Sequence, residues 1–409
     1  MGNSKKKRRK KKPTRYWPHE QVFEGDENFP GEDTFEQMYF IFRKRDKGKI
    51  ETNVSYKYRK YLGSRLTRLS KQIDENTWKP HGTNKFYTMH PRREINAPYY
   101  EDRIVEFWLD YFYFIPFSEP MLIDNNNACR VGKGMTDCNK KIREALFRLI
   151  EINLGFYVVQ TDILGYFDNI KHDFVKEIFE GLDPHAFGVL LKILAGWHKE
   201  KYIDEEENVH YIGLPKGCVV SQRVGVVALD PVDHMIYEWE KTLFYVRIMD
   251  DILVFVQTKE DAKQCLQMIR DKLTTMDAGI SLHPKKTQYY PFRPMKANNG
   301  KNKNRGIVFC GWRYHLREDN TLEVTVRNST KRNFKMKMKR LKKEVESGEI
   351  TAASEEYKKQ CCINYLKGSR KHGLRNDTEK LQQYLEDHFD FMDIQEKSLN
   401  INKEEQDLC

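Results

Sequence analysis

The sequence predicts an α+β fold, and three observations carry that prediction. Residues 246–256, Val-Arg-Ile-Met-Asp-Asp-Ile-Leu-Val-Phe-Val, are two aliphatic runs flanking an acid pair, the pattern of a covered hairpin with Asp250 and Asp251 at its tip. The run Phe156-Tyr-Val-Val-Gln-Thr161 has the same strand-like composition and ends on a third acid, Asp162. Apolar residues recur at helical spacing from Cys138 to Ile152 and from His172 to Glu180, so helices flank these strands.

At 409 residues the chain can bury a sizeable core and is expected to form several subdomains. Residues 1–30 read as a basic flexible arm, because Lys5-Lys-Lys-Arg-Arg-Lys-Lys-Lys12 repels itself too strongly to fold alone. A nuclear localisation signal, a nucleic-acid arm and a solvated tail all match that block. Residues 31–155 form an N-terminal helical layer and the elements after it. Tyr39, Phe42, Tyr56, Tyr58, Leu62, Leu66 and Leu69 recur there at helical spacing, followed by strand-like pieces near Lys85–Met89 and Arg93–Asn96 and an aromatic helix from about Arg103 to Phe114. Residues 156–310 carry the acids and include a basic, aperiodic loop at 296–305.

Residues 311–385 should be mainly helical. Asn328-Ser-Thr330 offers caps for a helix whose Phe334, Met338, Leu341 and Val345 share one face, with Arg332, Lys335, Lys339 and Arg340 on the others. A solvated surface would account for that charge, but no acid balances it before Glu344, which favours contact with a phosphate backbone. Residues 386–409 turn acidic and read as a fraying tail.

The formal net charge of +11 points to a polyanionic partner. The most apolar stretch, Val105 to Phe117, is interrupted by Glu106 and Asp110, so no membrane span is expected. The basic N-terminus lacks the apolar run of a secretory signal, and Lys6 breaks the myristoylation pattern after Gly2. Eight cysteines without Cys-x-x-Cys spacing suggest a reduced, cytoplasmic chain with no structural zinc.

An Asp-Asp pair alone is weak evidence, since roughly one is expected by chance in a chain of this size. The flanking aliphatic runs change the reading, because they would fix both carboxylates on a rigid, covered scaffold. Two adjacent carboxylates on a tight turn suit a hard divalent cation once a third ligand joins them, and Asp162 is the candidate.

Six blocks then occur in the order found in prokaryotic reverse transcriptases, and the chain resembles that family from about Lys85 to Tyr314. They are His90-Pro-Arg-Arg-Glu-Ile-Asn-Ala-Pro98 with Asp102-Arg-Ile-Val105 and Ala128-Cys-Arg-Val-Gly-Lys-Gly134; Asp162 to His172; Leu214-Pro-Lys-Gly-Cys-Val-Val-Ser-Gln222; Met249-Asp-Asp251; Leu282-His-Pro-Lys-Lys-Thr287; and Phe309-Cys-Gly-Trp312. The resemblance implies a right-hand polymerase with fingers, a palm built on an antiparallel sheet and a helical thumb. The palm would span 156–310, with a finger segment at about 175–215, and the thumb 311–385.

It further implies two Mg²⁺ ions, with Mn²⁺ as an alternative, on Asp162, Asp250, Asp251 and the Ile163 carbonyl. Lys286 would protonate the departing pyrophosphate, although a surface lysine reads the same way. Arg93, with Arg92 as a second contact, would grip the triphosphate, a task suited to a planar fork of donors. Phe167 would stack beneath the incoming sugar and clash with a 2′-hydroxyl, its plain alternative being a core aromatic. Lys216, Gly217 and Gln222 would line the nucleotide pocket, Gly217 by allowing close backbone approach. Phe309, Gly311 and Trp312 match the primer grip, or else core packing.

Two departures stand out. Lys216 replaces the glutamine of retroviral and many intron-encoded relatives, and Ser221-Gln222 replaces Ser-Pro. The Ser-Gln ending is more similar to diversity-generating-retroelement, retron and unclassified or defence-associated bacterial enzymes, which work with a dedicated non-coding RNA or an accessory protein. The expected function is therefore RNA-directed synthesis of DNA from dNTPs in the cytoplasm of a prokaryotic cell, in anti-phage defence or a retroelement. A template-independent or protein-primed DNA polymerase on the same palm is the alternative. A non-catalytic RNA-binding scaffold is the contrasting class, disfavoured by three acids kept together without compensation. Oligomeric state is not legible in the sequence.

Overall fold

Local signals place the first helices. In this computed structural model, which describes residues 31–46, 52–89, 92–294, 306–348, 361–364, 366 and 375–386, helix α1 spans Thr34–Asp46, α2 Asn53–Arg59 and α3 Leu62–Asp74. The basic arm, the 296–305 loop, the tail from 387, and His90 and Pro91 of the first block lie outside the described residues. A capping box starts α2: the Thr52 hydroxyl accepts from Ser55 N, and the Ser55 hydroxyl accepts from Thr52 N. The apolar stripe of α3 buries Leu66, Leu69 and Ile73.

Strands β1 (Thr83–Met89) and β2 (Arg92–Pro98) form an antiparallel hairpin with Thr83 opposite Pro98. The aromatic helix starts earlier than its sequence pattern suggests. It is α4 (Tyr100–Leu109), which runs through one π turn at Asp110–Phe114 into the short α5 (Ile115–Ser118). Helix α6 follows at Met135–Glu151.

The central sheet has the order β6-β7-β3-β8, from β3 (Phe156–Thr161), β6 (Thr242–Ile248), β7 (Asp251–Val256) and β8 (Gln288–Phe292). Every residue of β7 after Asp251 is buried, which is why this strand reads as a continuous apolar run. Between β3 and β6 lie α7 (Tyr166–Asn169), α8 (His172–Ile178), α9 (Pro184–Ala195), the hairpin β4 (Glu200–Ile203) with β5 (Val209–Ile212), α10 (Val219–Val227) and α11 (Asp230–Tyr237). Helix α12 (Lys259–Thr275) packs against β3, β7 and α11 and buries Ala262, Cys265, Leu266, Ile269 and Leu273.

Apart from residues 146–151 of α6 and Phe292 of β8, these elements belong to one compact unit, residues 1–145 with 156–291. The second unit comprises 146–155 and 292–409. It holds a three-stranded sheet in the order β11-β10-β9, from β9 (Ile307–Phe309), β10 (Trp312–Leu316) and β11 (Leu322–Val326). It also holds α13 (Asn328–Glu346) and α14 (Arg375–Glu386), with a core of Phe334, Met338, Leu341, Leu366 and Leu381. Among the described residues no helix is long and apolar enough to cross a membrane.

Candidate active site

Strand register brings the three acids together. β3 and β7 pair antiparallel with Thr161 opposite Ile252, and one further residue sets Asp162 across from Asp251, beside Asp250. β6 and β7 pair with Ile248 opposite Asp251, so only Met249 and Asp250 make the turn. A two-residue hairpin wants a left-handed residue in this position, and Met249 obliges at φ +56°. For a methionine that conformation costs about 1–2 kcal/mol. Its carbonyl is held by Arg247 Nη1 at 2.8 Å.

Asp250 is half-buried, and burial, then the Asp162 charge, push its pKa up against the opposing pull of Arg93 and Lys286. Such a carboxylate gains from a cation beside it. Lys286 supplies one to its neighbour, with Nζ 2.8 Å from Asp162 Oδ2. The main chain also prepares a ligand. His283 N donates to Asp162 O and Leu164 N to Ser281 O, so the Ile163 amide and carbonyl turn away from that segment. An all-oxygen donor set of this kind suits a hard divalent cation. Among the described residues no three His, Cys, Asp or Glu side chains are gathered closely enough to enclose an ion.

The β1–β2 hairpin separates the two fingers arginines. Neighbours along a strand face opposite ways, so Arg92 shares the face of Tyr87 and Glu94, with its guanidinium 5.0 Å over the Tyr87 ring. Arg93 lies on the other face with Ile95 and is close enough to lower the Asp250 pKa. Arg93 is therefore on the Asp250 side of the hairpin, and Arg92 is on the opposite face.

Gly217 is required by its own backbone, at φ +109°, and by packing: a Cβ there would sit 2.7 Å from Ile95 Cγ2. The close approach seen here is to β2. Lys216, expected to line the nucleotide pocket, is paired with Asp168 at 2.7 Å, while its carbonyl accepts from Asn96 N. Gln222 is exposed on α10, its Oε1 4.0 Å from Cys129 Sγ. Phe167 is half-buried beside Tyr166, with ring centroids 5.3 Å apart.

In the second unit, Phe309 and Trp312 are buried register partners flanking a turn in which Cys310 and Gly311 both take positive φ. Their side chains serve the core of that sheet, and the turn is what they leave presentable. Arg332, Lys335 and Lys339 line an open cavity of about 550 Å³ together with Tyr384, and Lys335 Nζ lies 4.8 Å over the Tyr384 ring. Arg340 is tied to Glu344 at 2.8 Å instead.

Sequence reasoning missed the support behind the turn. Arg247 and Asp233 are both fully buried and paired at 2.6 Å. Arg247 also donates to the carbonyls of Val226 and Gly225, and the Tyr245 hydroxyl and Asn126 Nδ2 donate to Asp233. The available signal was an arginine inside an apolar strand run, which has to find a buried acid.

The family model described as reverse transcriptase (RNA-dependent DNA polymerase) matches residues 130–314. No curated protein matches the chain. Solved structures similar to it include a telomerase from Candida albicans in complex with a fragment of telomeric RNA, at 11% identity and a TM-score of 0.40, covering 67% of this chain and 50% of that one. Another is an apo telomerase from Candida tropicalis lacking its C-terminal domain, at 11% identity and a TM-score of 0.40, covering 67% of this chain and 60% of that one. The chain thus spans between half and three-fifths of the length of these proteins. The α+β architecture is consistent with a right-hand polymerase fold, and residues 130–314 match the reverse transcriptase family model.

Proposed function

We propose that the chain extends a primer 3′ end with deoxynucleotides along an RNA template, using two Mg²⁺ ions held by Asp162, Asp250 and Asp251, with the Ile163 carbonyl as a further ligand. The observation that carries this reading is the convergence of Asp162 with the Met249-Asp250 turn on paired strands inside the matched domain. When bound, such ions acidify the primer hydroxyl and neutralise charge on the triphosphate. The protein's own groups do the rest. Asp250, destabilised as an anion by burial and by Asp162, is primed to accept a cation. Arg93 meets the triphosphate from the β2 face that turns toward Asp250. Lys286 leaves Asp162 as the site fills, which places its ammonium beside the departing pyrophosphate as a proton donor. Phe167 lies under the sugar.

The Ser221-Gln222 ending supports a prokaryotic enzyme working on a dedicated non-coding RNA, in phage defence or a retroelement. The cations of α13 and its cavity would hold the RNA backbone. The test is to purify the chain with the nucleic acid it carries, sequence that RNA, and supply labelled dNTPs and Mg²⁺ with and without RNase pretreatment. DNA complementary to the bound RNA, abolished by RNase, is the expected result. DNA of unrelated or homopolymeric sequence, formed regardless of RNase, would overturn templated copying in favour of the template-independent alternative.

A further inference from the structure

Helix α10 contains a single glycine, Gly225, whose φ is not in the left-handed region, so its backbone does not ask for glycine. Within a helix, glycine is less favourable than alanine. What it provides is space. A Cβ at this position would stand 3.0 Å from Phe167 Cε1, 3.2 Å from Phe167 Cζ and 3.0 Å from Met249 Sδ. The aromatic ring and the first side chain of the acid turn both rest on this bare patch of helix. The backbone there cannot easily withdraw, because the Gly225 carbonyl accepts from the Tyr166 hydroxyl at 2.7 Å and from Arg247 Nη1 at 3.4 Å. An added methyl group must therefore move the ring. Tyr166 stands beside it and the core behind it, so the open direction is outward from the helix.

We propose that Gly225 is a specificity-determining residue: by leaving room for the Phe167 ring against α10, it sets the depth of the pocket floor and hence the discrimination between deoxyribose and ribose. This rests on the reading that Phe167 lies under the nucleotide sugar. The experiment measures kcat and KM for dCTP and CTP on a primed RNA template with the full chain, its Gly225→Ala and Phe167→Ala variants, and the double variant. Pushing the ring toward the sugar should raise KM for dCTP more than it lowers kcat, and shift the deoxy-to-ribo ratio toward deoxy by about threefold or more. In the Phe167→Ala background the same substitution should leave the ratio unchanged within about twofold, because the ring that transmits it is gone.

An equal shift in both backgrounds, or no shift from Gly225→Ala while Phe167→Ala relaxes selectivity, overturns the role of Gly225 and leaves the sugar gate standing. An unchanged ratio in Phe167→Ala itself removes the gate, and the proposal falls with it. Should Gly225→Ala fail to fold, adding Met249→Ala removes one of the two crowded side chains, and the ratio is compared with that of Met249→Ala alone.

Discussion

Replacing Arg247 by methionine asks whether this arginine shapes the acid turn or only neutralises Asp233. Its guanidinium donates twice to Asp233 and once each to the carbonyls of Gly225, Val226 and Met249. Arg247→Met leaves a buried carboxylate with Tyr245 and Asn126 as donors and takes the arginine donor from the Met249 carbonyl, while the Gly225 and Val226 carbonyls keep Tyr166 and Asn126 as donors; breaking the buried pair costs about 3–5 kcal/mol. Against a domain stability of about 5–15 kcal/mol, the single variant should unfold early and lose activity for that reason alone. The informative protein is Arg247→Met with Asp233→Leu. Apolar replacement of both members of a buried pair is often neutral, so stability should return to within about 2 kcal/mol of the parent. Activity should not return with it. The Met249 carbonyl then has no clamp, the left-handed turn relaxes, and a shift of ~1 Å at a reacting centre costs about a hundredfold in rate. Urea unfolding and single-nucleotide incorporation on primed RNA, run in parallel, separate the two effects. A double variant that is stable and copies at the parental rate refutes the reasoning.

Further expectations follow from the same geometry. Glu106 accepts from Cys218 Sγ and Val219 N, and burial pushes its pKa up to about 7 from 4.5. A raised folded-state pKa means stability that is fully present below pH 4.5 and lost as pH rises through 7, about 3 kcal/mol in all, so Glu106→Gln should flatten that fall. Parallel pH profiles of the urea midpoint would contradict it. Asp250→Asn should reduce incorporation by about a thousandfold while the melting temperature holds or rises, because it removes a charge that burial and Asp162 oppose. A fall in melting temperature would make the acid structural. Gly217→Ala should destabilise by about 2–3 kcal/mol through its φ of +109° and the Ile95 contact, and an unchanged melting temperature would argue that the hairpin yields. Lys286→Met should tighten Mn²⁺ binding to the substrate-less protein, read by electron paramagnetic resonance, yet slow incorporation; weaker Mn²⁺ binding would mean that Lys286 holds Asp162 in place for the ion.

What could be read in the sequence was what repeats along the chain or alternates across a strand. The β6–β7 hairpin was visible because β7 is buried on both faces and so has no polar alternation to disguise it. Asp162 was visible because it ends such a run. Contacts made at long range were not legible. Nothing local to Lys216 announces Asp168 as its partner, 48 positions away. The choice between Arg92 and Arg93 depends on β2 pairing with β1 in a register that sends Arg93 toward Asp250, and the two residues are chemically identical. Glycine reads as a turn signal or as close approach without saying to what. At Gly217 the neighbour is Ile95, and at Gly225 it is an aromatic ring. The π turn at Asp110 was equally hidden, since the aromatic spacing of Tyr111 to Phe114 suits either helix type.

The segment from Lys216 to Gly225 ties these particulars into one device. Its first residue is paired with Asp168, next to Phe167, so on the proposed reading the departure from glutamine introduces an ion pair rather than a bare cation. Its second packs on the face of β2 that presents Arg93, and Asn96 N binds the Lys216 carbonyl, so β2 is anchored at the start of α10. Its last turn seats Phe167 and receives Arg247, which in turn holds Met249 ahead of Asp250. On the function proposed above, triphosphate contact, sugar floor and metal-binding turn would thus be registered against the nine-residue helix α10 and the short segment that leads into it. That arrangement explains why so much buried polar chemistry is concentrated behind a turn only two residues long: an error at any one of these contacts would reach the reacting atoms through the same backbone.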